Sequence, residues 1–331
     1  MEILNIVWFV LITVLFTGFF ILEGFDYGVG MLLIGKNDEE RSMLIRSIGP
    51  VWDGNEVWMI TAGGALFAAF PHVYATMFST FYIALFLMLM ALILRGVAFE
   101  LRGKHPSSDW RKLWDWAIIF GSTVPAILWG VAMTNLLKGL PIDSQMHYLG
   151  GFFDLLSPYT LLAGITFAAI FLYHGANFLM LKLGDGRLLL NIKTKAFKFG
   201  IIALLLGVAF IAATVISFGV SAGLTPIFIG AACLIYSICS FKRECFKCSF
   251  IASTLSIAAI TVGLFTALFP NLMISSLNPE WSLNIYNAAS TPHTLAIMTG
   301  AAVVLVPIVL IYQGWTYRIF KERITVNDLQ H

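Results

Sequence analysis

Long apolar runs separated by short polar ones dominate this chain. Nine of them approach or exceed the roughly 20 mostly apolar residues that an α-helix needs to cross about 30 Å of hydrocarbon. They lie at about Ile6–Ile34, Val51–Phe70, Tyr74–Leu101, Leu113–Leu137, Pro158–Leu183, Ala196–Phe218, Leu224–Phe241, Ser249–Phe269 and Pro292–Ile319, the seventh being short. No run alternates apolar and polar residues over about ten positions, as the strands of a membrane barrel do. The pattern therefore predicts an all-α polytopic membrane protein with nine transmembrane helices. The opening "MEILNIVWFV" has no basic n-region, and its apolar run outlasts a signal h-region, so the first helix is expected to stay in the mature protein.

Composition agrees, with 59% hydrophobic residues and 11% charged ones, against roughly 25% charged in a soluble domain. The basic residues add an orientation. With nine helices, all but two of the 20 Lys and Arg residues fall on one side; Lys138 lies opposite and Arg95 sits within the third run. Basic loops stay cytoplasmic, which places the N-terminus outside and the C-terminus inside. The net charge of +2 is then a topology signal and says nothing of nucleic acid. The longest loops, about 138–157 and 270–291, are too short for an independent core, so the chain reads as one integral membrane domain.

An internal repeat emerges from the numbering of the runs. "FILEGFDYG" in the first, "FLYHGANFL" in the fifth and "LIYQGWTYR" in the ninth align on Gly24, Gly175 and Gly314. A recurrence every four helices suggests two four-helix bundles, about 6–137 and 158–269, and a peripheral helix at about 292–319. The glycines also have a packing reason, since small residues let membrane helices approach closely.

Charge inside the membrane is where function is expected. Each charge near the bilayer centre costs at least about 2.5–3.5 kcal/mol, so an intramembrane acid needs a partner, a proton or a water path. Counting 1.5 Å per residue from the basic ends, Asp53 lies about 3 Å in, Glu56 about 8 Å, Asp26 about 12 Å and Glu23 about 16 Å. Each pair is three residues apart and shares one helix face. Arg95 falls at the depth of Glu56 and Asp26, the expected partners of its charge. The four acids read as a ladder for protons. The bland alternative makes Asp53 a helix-start residue favoured by the dipole and Arg95 half of a structural pair.

These residues also carry a resemblance. "EGFDYGVGML", "RSIGPVWDGNEVWMITAGGALFAAFPHVYATMFSTFY", "WDWAIIFGSTVPAILWGVAMTNLLKG" and "AAVVLVPIVLIYQGW" closely resemble subunit II of cytochrome bd-type quinol oxidases. The likeness continues at "FFDLLSPYTLLAG" and "TALFPNLMISS". It implies a terminal respiratory oxidase of the bacterial inner membrane that oxidises quinol, reduces dioxygen to water and draws protons from the cytoplasm. It further implies a partner, subunit I, holding two b-type haems and one d-type haem, with no catalytic or cofactor-binding residue in this chain. It allows small single-helix accessory subunits and a quinone bound structurally here. The proton-pathway role carries to Asp53, within "WDGNEVW"; Glu23, Asp26, Glu56 and Arg95 rest on depth and spacing. "FGVSAGLTPI" departs from the family by leaving almost no external loop.

Of the histidines His72, His105, His147, His174, His293 and His331, only His174 is clearly intramembrane, and a packed, hydrogen-bonded role is expected for it rather than haem ligation. Cys245 and Cys248 form an isolated C-x-x-C, read as reduced thiols rather than half of a zinc site. Two other readings stay open: a purely structural partner subunit, and a proton-coupled transporter. The latter would more often show inverted repeats, whereas this one keeps its orientation.

Overall fold

Pro71 sets the first boundary of interest. Proline has no N–H and disfavours helix at the preceding residue, so the second apolar run ends at Phe70, whose backbone turns aside at φ −134° and ψ 68°. The computed structural model describes residues 2–184, 186–219, 223–325 and 327–328. Part of "FGVSAGLTPI" (residues 220–222) and His331 lie outside them.

In chain order the helices are α1 (Glu2–Met31), α2 (Asp38–Ile48), α3 (Trp52–Ala69), α4 (Pro71–Thr80), α5 (Tyr82–Leu101), α6 (Ser108–Lys138) and α7 (Pro158–Lys182). Then come α8 (Arg187–Phe218), α9 (Leu224–Lys242), α10 (Phe246–Leu268), a two-stranded antiparallel ribbon of β1 (Asn271–Met273) and β2 (Leu283–Asn284), and α11 (Pro292–Ile319). Among the described residues, eight helices are long and apolar enough to cross a membrane. α3 is not one of the eight. It is helical over nearly all of the predicted run, but its first turn carries Asp53, Asn55 and Glu56, which dilute its hydropathy.

Two expectations are corrected here. The third apolar run is not one helix: it breaks at Phe81, whose N–H reaches both Met77 and Ser79 carbonyls. The Thr80 hydroxyl donates back to the Thr76 carbonyl at 2.7 Å, a local bond that competes with the helical ladder and bends helices. The first basic loop is not all loop either. It holds α2, started by a capping box in which Asn37 and Glu40 each accept the other's backbone N–H. "NDEERSMLIR" carries that signature: cap, three acids, then apolar positions and Arg46.

α2 is tied to the neighbouring helix ends by ions. Asp115 accepts from Arg41 at 2.8 Å and from Arg102 at 2.6 Å, while Asp38 accepts from Arg102 at 2.7 Å and from Arg111. On the opposite end, the loops at 138–157 and 270–291 are knitted together. Ser275 Oγ donates to the Ile142 carbonyl at 2.7 Å, and Thr76 Oγ1 to that of Met146 at 2.8 Å.

α1 is the central element, packing on α3, α6, α7 and α10. Its crossing with α7 is made by glycine: a Cβ on Gly175 would lie 2.6 Å from the Gly28 carbonyl carbon, and one on Gly24 would lie 2.7 Å from the Phe171 ring. A second close approach brings α5 in: a Cβ on Gly121 of α6 would lie 2.5 Å from the Ala91 carbonyl oxygen. Gly314, the third glycine of the repeat, meets nothing within 4 Å. α8 and α11 are apolar and mostly uncovered by the rest of the chain.

Gly175→Val should therefore force α1 and α7 apart. Overpacking of this kind typically costs about 1–3 kcal/mol. The expected outcome is a lowered melting temperature of the detergent-solubilised protein, with Gly207→Ala, whose Cβ meets open space, unchanged. Equal melting temperatures for the two variants would refute the crossing's importance.

Candidate functional site

The close approaches of α1 to α7 and of α6 to α5 leave one pocket of charge between α1, α3 and α5. Glu23 and Asp26 on α1, Asn55 on α3 and Arg95 on α5 are all completely buried. Arg95 donates to Glu23 Oε1. Its guanidinium carbon also lies 4.9 Å from the centre of the Tyr27 ring and 5.5 Å from that of Phe99, within reach for cation–π attraction. The arginine is thus paired with Glu23, the deepest acid, and not with Glu56 or Asp26 as its depth suggested. The physical reason is rotational: a depth count along the axis carries no information on which helix face turns inward.

Asp26 finds a neutral donor instead. Asn55 Nδ2 donates to Asp26 Oδ2 at 2.7 Å. Asn55 Oδ1 in turn accepts from Tyr317 Oη at 2.7 Å and from Gln313 Nε2 at 3.2 Å. Both donors come from α11. Asn55, Gln313 and Tyr317 were not among the residues expected at the site. One signal for them existed: Gln313 stands in the repeat at the position of Glu23, and Tyr317 at that of Tyr27.

Glu56 is half-buried and lies within electrostatic reach of Arg95 and of Asp53. Asp53 is exposed on the surface of the chain. The structure therefore brings Glu23, Asp26, Glu56 and Arg95 together and leaves Asp53 at the rim. Around the pocket, Glu23 Oε2, Asp26 Oδ1, Glu56 Oε2, Tyr27 Oη and both Nε and Nη2 of Arg95 have no hydrogen-bond partner within the chain. Buried polar atoms are normally satisfied, so this cluster calls for partners from outside the chain, such as water or a neighbouring subunit.

His174 behaves otherwise. It is completely buried, its Nε2 donates to the Ile21 carbonyl at 3.2 Å, and its Nδ1 shares a hydrogen bond of 2.7 Å with Ser253 Oγ. Its ring stacks on Phe250 at 4.9 Å. Both ring nitrogens are engaged by the protein, the packed role expected of it. His293 is exposed in the first turn of α11. Among the described residues no three His, Cys, Asp or Glu side chains gather as metal ligands. Cys245 and Cys248 correct the reading of reduced thiols, because they form a disulfide across the turn between α9 and α10. A C-x-x-C turn brings the two sulfurs together whether or not a metal is present.

The family model for cytochrome bd terminal oxidase subunit II matches residues 4–320. This chain belongs to that family. It is 39% identical to the cytochrome bd ubiquinol oxidase subunit 2 of Bacillus subtilis (strain 168), over 99% of each chain. It is 38% identical to the cytochrome bd-I ubiquinol oxidase subunit 2 of Escherichia coli (strain K12), over 99% of this chain and 97% of that one. Its fold is similar to a chain in the structure of the bd oxidase from Geobacillus thermodenitrificans, with a TM-score of 0.78 at 15% identity, covering 96% of this chain and 98% of that one. The protein is thus a multi-pass membrane subunit of a terminal oxidase complex.

Removing Arg95 isolates Glu23 in a fully buried place. Breaking one side of such a pair typically costs about 3–5 kcal/mol, so Arg95→Leu should sharply lower the yield of assembled oxidase. The double variant Arg95→Leu/Glu23→Leu should recover part of it, since replacing both charges leaves neither unpaired. Yield is read from haem absorbance per unit of membrane protein, and no recovery in the double variant would contradict the pairing.

Proposed function

We propose that this chain supports the oxidation of quinol and the reduction of dioxygen to water by stabilising a haem-bearing subunit I and by passing cytoplasmic protons toward it. The carrying observation is the cluster of the buried Glu23, Asp26 and Arg95 with the half-buried Glu56, which has unpartnered polar atoms and lies one helical turn from the exposed Asp53. In this reading α3 crosses the membrane as the ninth span. The N-terminus lies outside and the C-terminus in the cytoplasm of a bacterial inner membrane, with two four-helix bundles and α11 at their edge. The haems, two b-type and one d-type, belong to subunit I, in keeping with a buried histidine whose nitrogens are both engaged here. The relatives' names support ubiquinol as the quinol.

Four protons are consumed per dioxygen, and hydrocarbon conducts none unaided. Asp53, at the shallow end of the acids, is the entrance; Glu56 links it to Asp26. Glu23 is held by Arg95 and tunes the field there. That ion pair also favours a second role for the pocket, fixing the register of α1 against α5, which operates alongside conduction.

Asp53→Asn keeps shape and hydrogen bonding but removes the titrating carboxylate. The expected result is a haem-replete complex with slowed quinol oxidase turnover and slowed proton uptake. Normal turnover and uptake would make Asp53 a helix-start residue only. A separate expectation follows for the division of labour: expressed without its partner, this chain should bind no stoichiometric haem, and a d-type absorption band from the isolated chain would overturn the assignment.

A further inference from the structure

Four hydrogen bonds around Asn55 all point the same way. The indole of Trp58 can only donate, and its Nε1 donates to Gln313 Oε1 at 2.8 Å. This fixes which end of the Gln313 amide faces Trp58, so its Nε2 is left to donate to Asn55 Oδ1. Tyr317 Oη donates to the same oxygen. With its oxygen held twice, Asn55 presents its NH2 group to Asp26 Oδ2 at 2.7 Å. A flipped Asn55 would set its oxygen against the carboxylate and its amide nitrogen against the Gln313 donor, whereas the Tyr317 hydroxyl can turn to serve either orientation, so the direction is fixed by Gln313 and Trp58.

We infer that Trp58, Gln313 and Tyr317 form a directional latch that holds Asn55 as an N–H donor to Asp26, making Asn55 a positioning residue for proton exchange at that acid. A donor held this way favours the ionised carboxylate, so the acid is more often empty and holds an arriving proton less tightly, which lets the proton pass on. The unpartnered Oδ1 of Asp26 is the atom at which the proton arrives. Asparagine cannot titrate, so it sets the acceptor without joining the relay. α11, otherwise nearly bare, is thereby coupled to the acid pocket through two side chains on its inner face.

The other groups around Asp26 are Glu23 and Tyr27 on its own helix, Arg95 from α5, Glu56 from α3 and Tyr317 from α11. On α7, His174 is turned to Ile21 and Ser253. On α6, Asp115 is held by Arg41 and Arg102. None of these makes a hydrogen bond to Asp26 in the chain: Arg95 bonds Glu23 through Nη1, and its Nε and Nη2 reach no acceptor.

This inference rests on Asp26 being a relay group, and the test separates the two. The protonated-carboxyl infrared band of Asp26 is assigned in the purified oxidase complex by its loss in Asp26→Asn. It is then measured at fixed pH in Asn55→Leu and in the double variant Gln313→Leu/Tyr317→Phe. Loss of one hydrogen bond to a charged group should shift the protonated-to-ionised ratio about tenfold or more. Both variants should show that growth of the band, while Tyr317→Phe alone, which keeps the Gln313 bond, should show little. An unchanged band in a haem-replete Asn55→Leu complex overturns the latch; if that variant fails to assemble, an unchanged band in the double variant does so. Normal turnover in Asp26→Asn instead overturns the relay reading, and the infrared result still decides the latch.

Discussion

A carboxylate placed among membrane helices must be given donors by the protein, because hydrocarbon supplies none. The arrangement of α1, α3, α5 and α11 follows from that constraint. Glu23 takes an arginine and Asp26 takes an amide. Each donor arrives from a different helix, so satisfying two acids on α1 fixes two other elements around it, and α11 is added through its bonds to Asn55. The pocket is therefore as much a packing device as a chemical one.

Glycine makes these donors reachable. Arg95 can meet Glu23 because α6 lets α5 approach: a Cβ on Gly121 would lie 2.5 Å from the Arg95 Cβ. α1 is held against α7 by the Gly28–Gly175 contact, which turns the opposite face of α1, with Glu23 and Asp26, toward α3 and α5. Without a hydrophobic drive between helices in lipid, such close backbone contact supplies the association. Dispersion and electrostatics thus cooperate at the same helix.

Much of this was legible in the apolar runs. Their lengths give α1, α6, α7, α10 and α11 to within a few residues at most ends, since hydropathy reports directly on membrane-length helices. The acids and arginine of the pocket were legible for the same reason, as charges where charge is expensive. The pairing was not. Glu56, Asp26 and Glu23 differ in azimuth as well as depth, and azimuth depends on crossings such as Gly121 against α5 that no single run reveals. Asn55 escaped because an asparagine beside two acids reads as a helix-start residue, and its significance lies in partners more than 250 positions away. α2 stands outside the apolar runs for a simpler reason: it is short and amphipathic, and its capping box is its one clear mark in the sequence.

The three aligned segments put different chemistry at equivalent positions. In α1 the positions hold Glu23, Asp26 and Tyr27; in α7, His174, Asn177 and Phe178; in α11, Gln313, Thr316 and Tyr317. The α7 copy is neutral and closed. Asn177 donates to the Tyr173 carbonyl at 3.0 Å and accepts from Ser249 at 2.6 Å, and the serines 237, 249 and 253 complete the set with Tyr173 and His174. None of these side-chain atoms lacks a partner, whereas the α1 copy leaves an oxygen unpartnered on each of its two acids. Saturating a buried polar network rigidifies it, and the α7 copy, with both nitrogens of His174 engaged, reads as structural. The α1 copy is open because neither its acids nor the arginine beside them are bonded to saturation, Arg95 keeping Nε and Nη2 without partners in the chain, and the α11 copy, through Gln313 and Tyr317, supplies the two bonds that the Asn55 oxygen accepts while its amide nitrogen faces Asp26.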